Sequence, residues 1–413
     1  MRAQAFLRAV LVALLALAPF GWPRPAQAAL ISVTTTNDEL ETDGNCSLRE
    51  AIQAVNTRAA VDSCAAGTGN DTIVLPAGLY PLTISGSEND NLRGDLDVFP
   101  QSSAGGVVTI QGAGAGATIL DGNELDRVFH LIRSDSTLIL RDLTIRNGKV
   151  TNAAGGGILS WGRLELRSVI LENNRDDGSS TSDSVGGGLC IGCGPGTGSG
   201  VLENVIIRNN AADRGGGIFS NRPLTITASS IISNTARAGG AIINFGDLTV
   251  VNSTVSGNAA TINTGGILHS AGSLSLRSST IAYNRRAGVS AQALLTTTNT
   301  IIAFNTTSGV LTNCFVSGAV TSLGSNLSND ATCASWFTAS GDLNSVDPRL
   351  GPLQENGGFT PTHNLLLDSP AVNAGSNDSC PSADQRGVAR PQGARCDIGA
   401  VERVFVYLPL AFR

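Results

Sequence analysis

The sequence predicts an all-β chain wound as a right-handed parallel β-helix, with a short N-terminal capping helix and a disulfide-stabilised C-terminal cap. Three observations predict it. A degenerate repeat of about 25 residues runs from about Ser136 to about Gly309, a period typical of stacked supersecondary units. Each unit opens with strict apolar alternation, as in Leu224-Thr-Ile226, Leu248-Thr-Val250 and Leu274-Ser-Leu276, which places the aliphatic side chains on one face of a strand and Thr or Ser on the other. Each unit then carries an Asn and, in most copies, a glycine pair followed by an aliphatic residue, as in Gly239-Gly-Ala-Ile242 and Gly265-Gly-Ile267.

The aligned residues Asn174, Asn210, Asn234, Asn258, Asn284 and Asn305 fall once per coil, where identical amides can bond from coil to coil as a ladder. Asn also tolerates left-handed backbone, and the glycines supply positive φ where each coil bends. A leucine-rich horseshoe has a comparable period, but its outer segments carry helical turns. Here the stretches between strands are Gly, Ser, Thr, Asn and Ala without helical periodicity, which favours the β-helix. Roughly nine coils at ~4.8 Å give a solenoid on the order of 45 Å long.

In chain order, residues 1–28 read as a secretory signal: Arg2 and Arg8, an apolar stretch from Ala9 to Phe20, and Ala26-Gln-Ala28 as the cleavage site, leaving Ala29 as the first mature residue. Removal of Arg2, Arg8 and Arg24, with no acid, takes the formal charge from −6 to −9. That balance, with Lys149 the sole lysine, argues against nucleic acid as a partner, since phosphate binding needs a basic surface. No other segment is apolar enough to span a membrane. Residues 29–104 are expected to form an N-terminal cap and the first coils. Within them Ser47 and Glu50 have capping-box spacing ahead of the apolar stripe Leu48, Ile52, Val55, which predicts a helix covering the open end of the first coil. Residues 105–340 form the repeats, 341–403 the C-terminal cap and 404–413 a tail. Eight cysteines in an exported chain indicate disulfides, and proximity suggests Cys46 with Cys64, Cys190 with Cys193, Cys314 with Cys333 and Cys380 with Cys396, among about 105 possible arrangements.

Several motifs resemble known groups. Cys46-Ser-Leu-Arg-Glu-Ala51 matches the motif of bacterial secreted proteins known by those six letters, and Asp71 to Tyr80 and Gly94-Asp-Leu-Asp97 look like its continuation. The Gly-Gly-Ala-Ile and Gly-Gly-Gly-Ile units between Gly155 and Asn244 are similar to repeats of polymorphic outer-membrane proteins. Asp347 to Glu402, with Asn356-Gly-Gly-Phe-Thr-Pro-Thr-His363, Asp384-Gln-Arg-Gly387 and Cys396-Asp-Ile-Gly-Ala-Val-Glu402, resembles the choice-of-anchor Q domain. These resemblances imply a surface or secreted β-helix and supply no catalytic residues. The tail Val404 to Arg413 lacks the Leu-Pro-x-Thr-Gly of sortase substrates, and the roughly 100 residues after the repeats do not read as membrane-barrel strands.

Candidate chemistry is sparse. The chain also resembles β-helices of the pectate-lyase kind, which set Ca²⁺-binding carboxylates and an Arg base on one solvent face, but fold alone does not transfer function. The region that comes nearest is the coil around Leu189, where insertions Arg175 to Val185 and Gly192 to Gly200 would stand as walls of a groove. Asp176, Asp177, Asp183, Arg208, Asp213 and Arg214 are the catalytic candidates there, as oxygen ligands for Ca²⁺ and as a proton-abstracting Arg; a solvated polar loop is the simpler account. The stretch Glu88 to Asp97 offers Asp90, Asp95 and Asp97 as Ca²⁺ candidates without EF-hand spacing. Asp121, Glu124, Asp126 and Arg127 suggest a local ion pair. His269 shares its coil position with Ser160, Ser220 and Asn244 and is expected to join a polar ladder; His130 and His363, in the early coil and the C-terminal cap, are too far apart in sequence to be expected to pair. Asp384, Arg386, Arg390, Asp397 and Glu402 are expected to form a stabilising ion-pair network in the C-terminal cap. The functional expectation is an exported, monomeric, non-enzymatic scaffold at or near the cell surface, in contact with carbohydrate or surface protein and without an obligatory cofactor. The alternative is a polysaccharide lyase or glycoside hydrolase.

Overall fold

The computed structural model describes residues 28–101, 105–178 and 183–404. The proposed signal segment up to residue 27, four residues of the first inserted loop and the tail from residue 405 lie outside the described residues.

Alternating aliphatic residues stack coil upon coil in parallel, in-register ladders. One ladder runs from Leu30–Ser32 through Asn70–Val74, Val107–Gln111, Leu224–Thr227 and Leu248–Val251 to Val320–Ser322. Leu224 aligns with Leu248 and then Leu274, and Ile226 with Val250 and Leu276, all buried, while Thr225 faces solvent. A second ladder follows in the same sheet, carrying Ile207, Ile231, Val255, Ile281 and Ile302 into the core. A third forms another wall from Leu96–Val98, Phe129–Leu131, Ile158–Ser160, Leu189–Ile191, Ile218–Ser220 and Ile242–Asn244 to Cys314–Val316. The chain is a right-handed parallel β-helix, as the repeat predicts.

The Asn ladder forms at the bend after the second strand. The main-chain N–H and the side-chain amide of Asn210 both donate to Asn234 Oδ1 at 3.0 Å, Asn234 donates likewise to Asn258 at 2.9 and 3.0 Å, and the series runs from Asn174 to Asn313. From Asn174 to Asn305 each amide also donates back to a carbonyl of the preceding coil, such as Asn258 to Ile231 at 2.9 Å. The left-handed backbone belongs to the residue before each ladder Asn, not to the Asn itself: Asn147 precedes the column, and Asn173, Asn209, Ser233, Gly257, Tyr283 and Phe304 all have φ between 55 and 67°. A second column at the bend between the first two strands escaped the sequence analysis: Val205, Ser229 and Ser253 donate main-chain N–H groups to Ser229, Ser253 and Ser279 hydroxyls at 3.0 to 3.3 Å. Glycines supply the expected positive φ and also allow close approach of neighbouring coils. Gly239 has φ +64°, and a Cβ on Gly216 would stand 2.2 Å from the Thr235 carbonyl.

At the N-terminal end the helix α1, Leu48–Thr57, begins with the capping box of Ser47 and Glu50 and buries Ile52 and Val55 against the first coils. The C-terminal cap has two parts. Trp336 and Phe337, behind the Cys314–Cys333 disulfide, close the end of the hydrophobic core. Residues after Val346 then run back along the flank of the second ladder. Gln385 accepts from Thr254 Oγ1 at 2.7 Å and donates to Ser230 Oγ at 2.8 Å, Asn252 donates to the Ala383 carbonyl, and Ser376 and Gly399 donate main-chain N–H groups to Asn299. The expected ion network holds this strap together: Arg386 pairs with Asp384 at 2.7 Å, buried Arg390 lies 3.5 Å from Glu402 and donates to the Asp397 and Gly399 carbonyls, and Cys380 is bonded to Cys396. All four disulfides pair sequence neighbours.

His363 docks the strap. Its Nδ1 lies 2.7 Å from the Gly351 carbonyl, which only accepts, so Nδ1 carries the proton and Nε2 accepts from Ser256 Oγ at 2.9 Å. Burial depresses the His363 pKa.

Asn258→Ala leaves two buried donors of Asn234 without an acceptor. At ~1–3 kcal/mol for each such group, a loss of about 3 kcal/mol is expected in urea denaturation, against little change for Thr225→Ala. A group with a depressed folded-state pKa favours the folded state fully only above its unfolded value, about 6.5 for His. The His363 contribution is therefore lost as pH falls below about 6.5, and His363→Asn is expected to flatten that part of the stability-versus-pH curve; identical wild-type and variant curves would contradict it.

Candidate functional site

In the third ladder, residues flanking the middle position of each strand point into the core, so the middle residue points outward. Register therefore builds one outward column: Asp97, His130, Leu159, Cys190, Phe219, Ile243, Leu268. From Leu159 onward the column is apolar and forms a second hydrophobic cluster outside the solenoid, packed with Trp161, Cys193 and Phe245. Above it lies a cleft of about 880 Å³. Asp183 and Val185 of the first insertion and Gly192, Cys193 and Gly194 of the second line it, so both predicted insertions contribute to its lining.

Aromatic and guanidinium groups line this cleft. Arg214 lies 5.3 Å from the Phe219 ring centre and 5.9 Å from that of Phe245, a cation–π arrangement. Arg222 donates to the Gly196 carbonyl of the wall. Trp161 meets the His130 ring edge to face at 4.7 Å. Neither Arg214 nor Arg222 has an ion-pair partner among the described residues.

The N-terminal end of the cleft, at Arg127 and His130, abuts a buried acidic group. Arg127 Nη1 pairs with Asp95 Oδ2 at 3.0 Å, and His130 Nδ1 lies 3.3 Å from Asp97 Oδ1. Asp97 also accepts the Asn91 N–H at 3.2 Å, and Asp126 accepts the Arg127 N–H at 2.7 Å. Burial, which disfavours charge, raises the Asp97 pKa to about 7 and lowers that of His130 to about 3. It also raises Asp95, against the pull of Arg127, and Asp126. Burial thus disfavours charge on both members of the pair, whose facing oxygen and nitrogen are atoms of the kind that bind a cation.

Arg49 fixes this group in place. Fully buried, it bonds Asp38 Oδ1 through Nε at 2.5 Å and donates to the carbonyls of Gly94 and Asp95 at 2.8 and 3.1 Å. Asn56 of α1 donates to the Asp97 carbonyl at 2.7 Å. Arg49 and Asn56, both on α1, therefore hold Gly94 to Asp97 from beneath.

The structure divides the sequence-predicted catalytic residues. Asp183 and Arg214 line the cleft. Asp176, Asp177 and Asp213 line a separate shallow depression with Arg237, where Arg237 holds Asp213 through two bonds of 2.7 and 3.0 Å, Asp177 pairs with Arg175 and Lys149, and Asp176 accepts from the Asn152 and Gly178 main chain. Arg208 pairs with Glu172 at 2.6 Å on the second ladder. Of the Ca²⁺ candidates, Asp95 and Asp97 meet while exposed Asp90 stands outside their cluster. The charged loop Asp121 to Arg127 does not pair within itself: Asp121 bonds Arg146, Glu124 bonds Arg175, and Arg127 reaches Asp95. His269 joins Asn244 at 3.1 Å as expected. Sequence reasoning missed the Asp97–His130 pair, although Leu96-Asp-Val98 and Phe129-His-Leu131 carry the signal of a polar residue between two core positions.

No protein-family model and no curated protein matches the chain. Among solved structures it is similar to the crystal structure of pectate lyase Pel9A, with a TM-score of 0.52 and 15% sequence identity over 91% of this chain and 96% of that one. That likeness shows the parallel β-helix fold. No helix among the described residues is long and apolar enough to cross a membrane.

Breaking a buried ion pair by removing one partner costs about 3–5 kcal/mol. Arg49→Ala is expected to destabilise by that order and to speed hydrogen exchange at the amides of Gly94 to Val98 more than in the central coils; a uniform change along the solenoid would contradict the holding role.

Proposed function

We propose that the protein is an exported β-helix scaffold at or near the cell surface that binds an acidic polysaccharide along the cleft of the third ladder. The carrying observation is the pairing of Arg214 and Arg222 with the aromatic surfaces of Trp161, Phe219 and Phe245 in one groove. Guanidinium groups bind sugar carboxylates or sulfates through charge-assisted, forked hydrogen bonds, and aromatic rings offer apolar surface to sugar C–H faces. Export is supported by the signal-like N-terminus and the four disulfides. Ala29 N lies 3.2 Å from Asp71 Oδ1, so an amino terminus created by cleavage after Ala28 has a carboxylate partner. The resemblances to the six-letter-motif proteins, polymorphic outer-membrane repeats and the choice-of-anchor Q domain support a surface role in adhesion or matrix contact.

A second reading, a polysaccharide lyase or hydrolase, is favoured by one observation: His130, with buried Asp97 3.3 Å behind it, lines the end of the same cleft. Calorimetric titration of residues 29–413 with polyuronates and sulfated glycans separates the readings. Binding that weakens at least tenfold in Arg214→Ala and in Arg222→Ala, with no new ultraviolet absorbance from unsaturated products and no reducing ends, is expected; the tenfold corresponds to about 1.4 kcal/mol per arginine. Product release would replace the scaffold reading with the enzymatic one, and absence of binding to every glycan would remove the cleft assignment.

A further inference from the structure

We propose that Asp95, Asp97 and His130 form a site for one first-row divalent transition metal ion, such as Zn²⁺ or Mn²⁺, at the N-terminal end of the cleft. Each residue offers a ligand atom, two carboxylate oxygens and one imidazole nitrogen, and these atoms all lie within 4.8 Å of one another. The residues are 1%, 0% and 2% exposed.

Two further observations point to a ligand. Asp95 Oδ1, Asp97 Oδ1 and both ring nitrogens of His130 have no hydrogen-bond partner among the described residues, although groups this deeply buried are ordinarily satisfied. Two of these orphaned atoms face each other, His130 Nδ1 lying 3.3 Å from Asp97 Oδ1. Charge counts the same way. Asp95, Asp97 and Asp126 bring three carboxylates together, and Arg127 brings one guanidinium. A cation would relieve the repulsion among these carboxylates, which one guanidinium alone does not balance.

The donor set selects the class of ion. Ca²⁺ takes six to eight oxygen ligands, whereas this pocket presents two carboxylates and an imidazole, a mixture suited to Zn²⁺, Mn²⁺ or Fe²⁺. Arg127 on Asp95 and the Asn91 N–H on Asp97 orient the carboxylates from behind, as outer partners of metal ligands do. His130 lines the open cleft, which gives an ion access from solvent.

The test is equilibrium dialysis of the disulfide-intact chain against Zn²⁺, Mn²⁺, Co²⁺ and Ca²⁺, with bound metal measured by mass spectrometry and Co²⁺ ligation by its visible absorption. One equivalent of transition metal, a chelator-reversible rise in Tm, and at least tenfold weaker binding in Asp97→Asn and in His130→Gln are expected, with Asp90→Asn unchanged. No stoichiometric binding by folded wild-type protein, a preference for Ca²⁺, or binding unaltered by His130→Gln would overturn the assignment. If either variant fails to fold, the wild-type Co²⁺ spectrum decides: a spectrum of hydrated Co²⁺ alone also overturns it.

Discussion

A chain that closes a loop about every 25 residues and stacks the loops must place a buried bend at the same point of every loop, and each bend strands amide groups away from both water and the strand ladders. The Asn column from Asn174 to Asn313 resolves this by making every coil satisfy the one before it. One carboxamide oxygen accepts two donors from the preceding coil, and its own amide returns a bond to that coil's carbonyl. The aliphatic stacks, the glycine bends and the Ser column all depend on the register this imposes, because a slip of one residue would exchange core and surface faces throughout.

Register also explains the site. The outward column of the third ladder exists only because Asp97, His130, Leu159 and Phe219 are held at equivalent heights by their own coils. No loop assembled the Asp97–His130 pair; it is the product of two adjacent rungs with a polar residue at the same position. The walls and the arginines of the cleft are additions to that rigid floor, which suits a binding groove whose shape must persist without its ligand.

The fold is legible because its determinants repeat. Leu224, Ile226, Asn234 and Gly239 recur with one spacing, and the capping box at Ser47 and Glu50 is local. The site is only partly legible, since it is written across coils of unequal length. Arg175–Asp176 and Ala211–Arg214 are neighbouring strands of one ladder, yet Asp177 lines the shallow depression and Arg214 the cleft, so proximity groups side chains that the backbone turns to different faces. Arg208, one strand earlier, turns to Glu172 for the same reason. Spacing hides the role of His130 because its partner, Asp97, is 33 positions earlier, a separation created by the irregular coil between them. Tertiary contacts of the strap are beyond local reasoning altogether: Gln385 bonds to Ser230 across 155 positions.

That strap changes what kind of polymer the solenoid is. A stack of coils bonded only to neighbours is a one-dimensional chain, in which an end can fray one unit at a time. Thr360, Gln385, Ser376 and Gly399 bind successive coils from Ala228 to Asn299, as a splint lies along several vertebrae. Those coils must open together or shed the splint first. It also sets an order of assembly, since the strap has no surface to grip until the flank formed by Ser230, Thr254 and Thr280 has been built. The segment that ends the described chain is therefore the one that locks its middle.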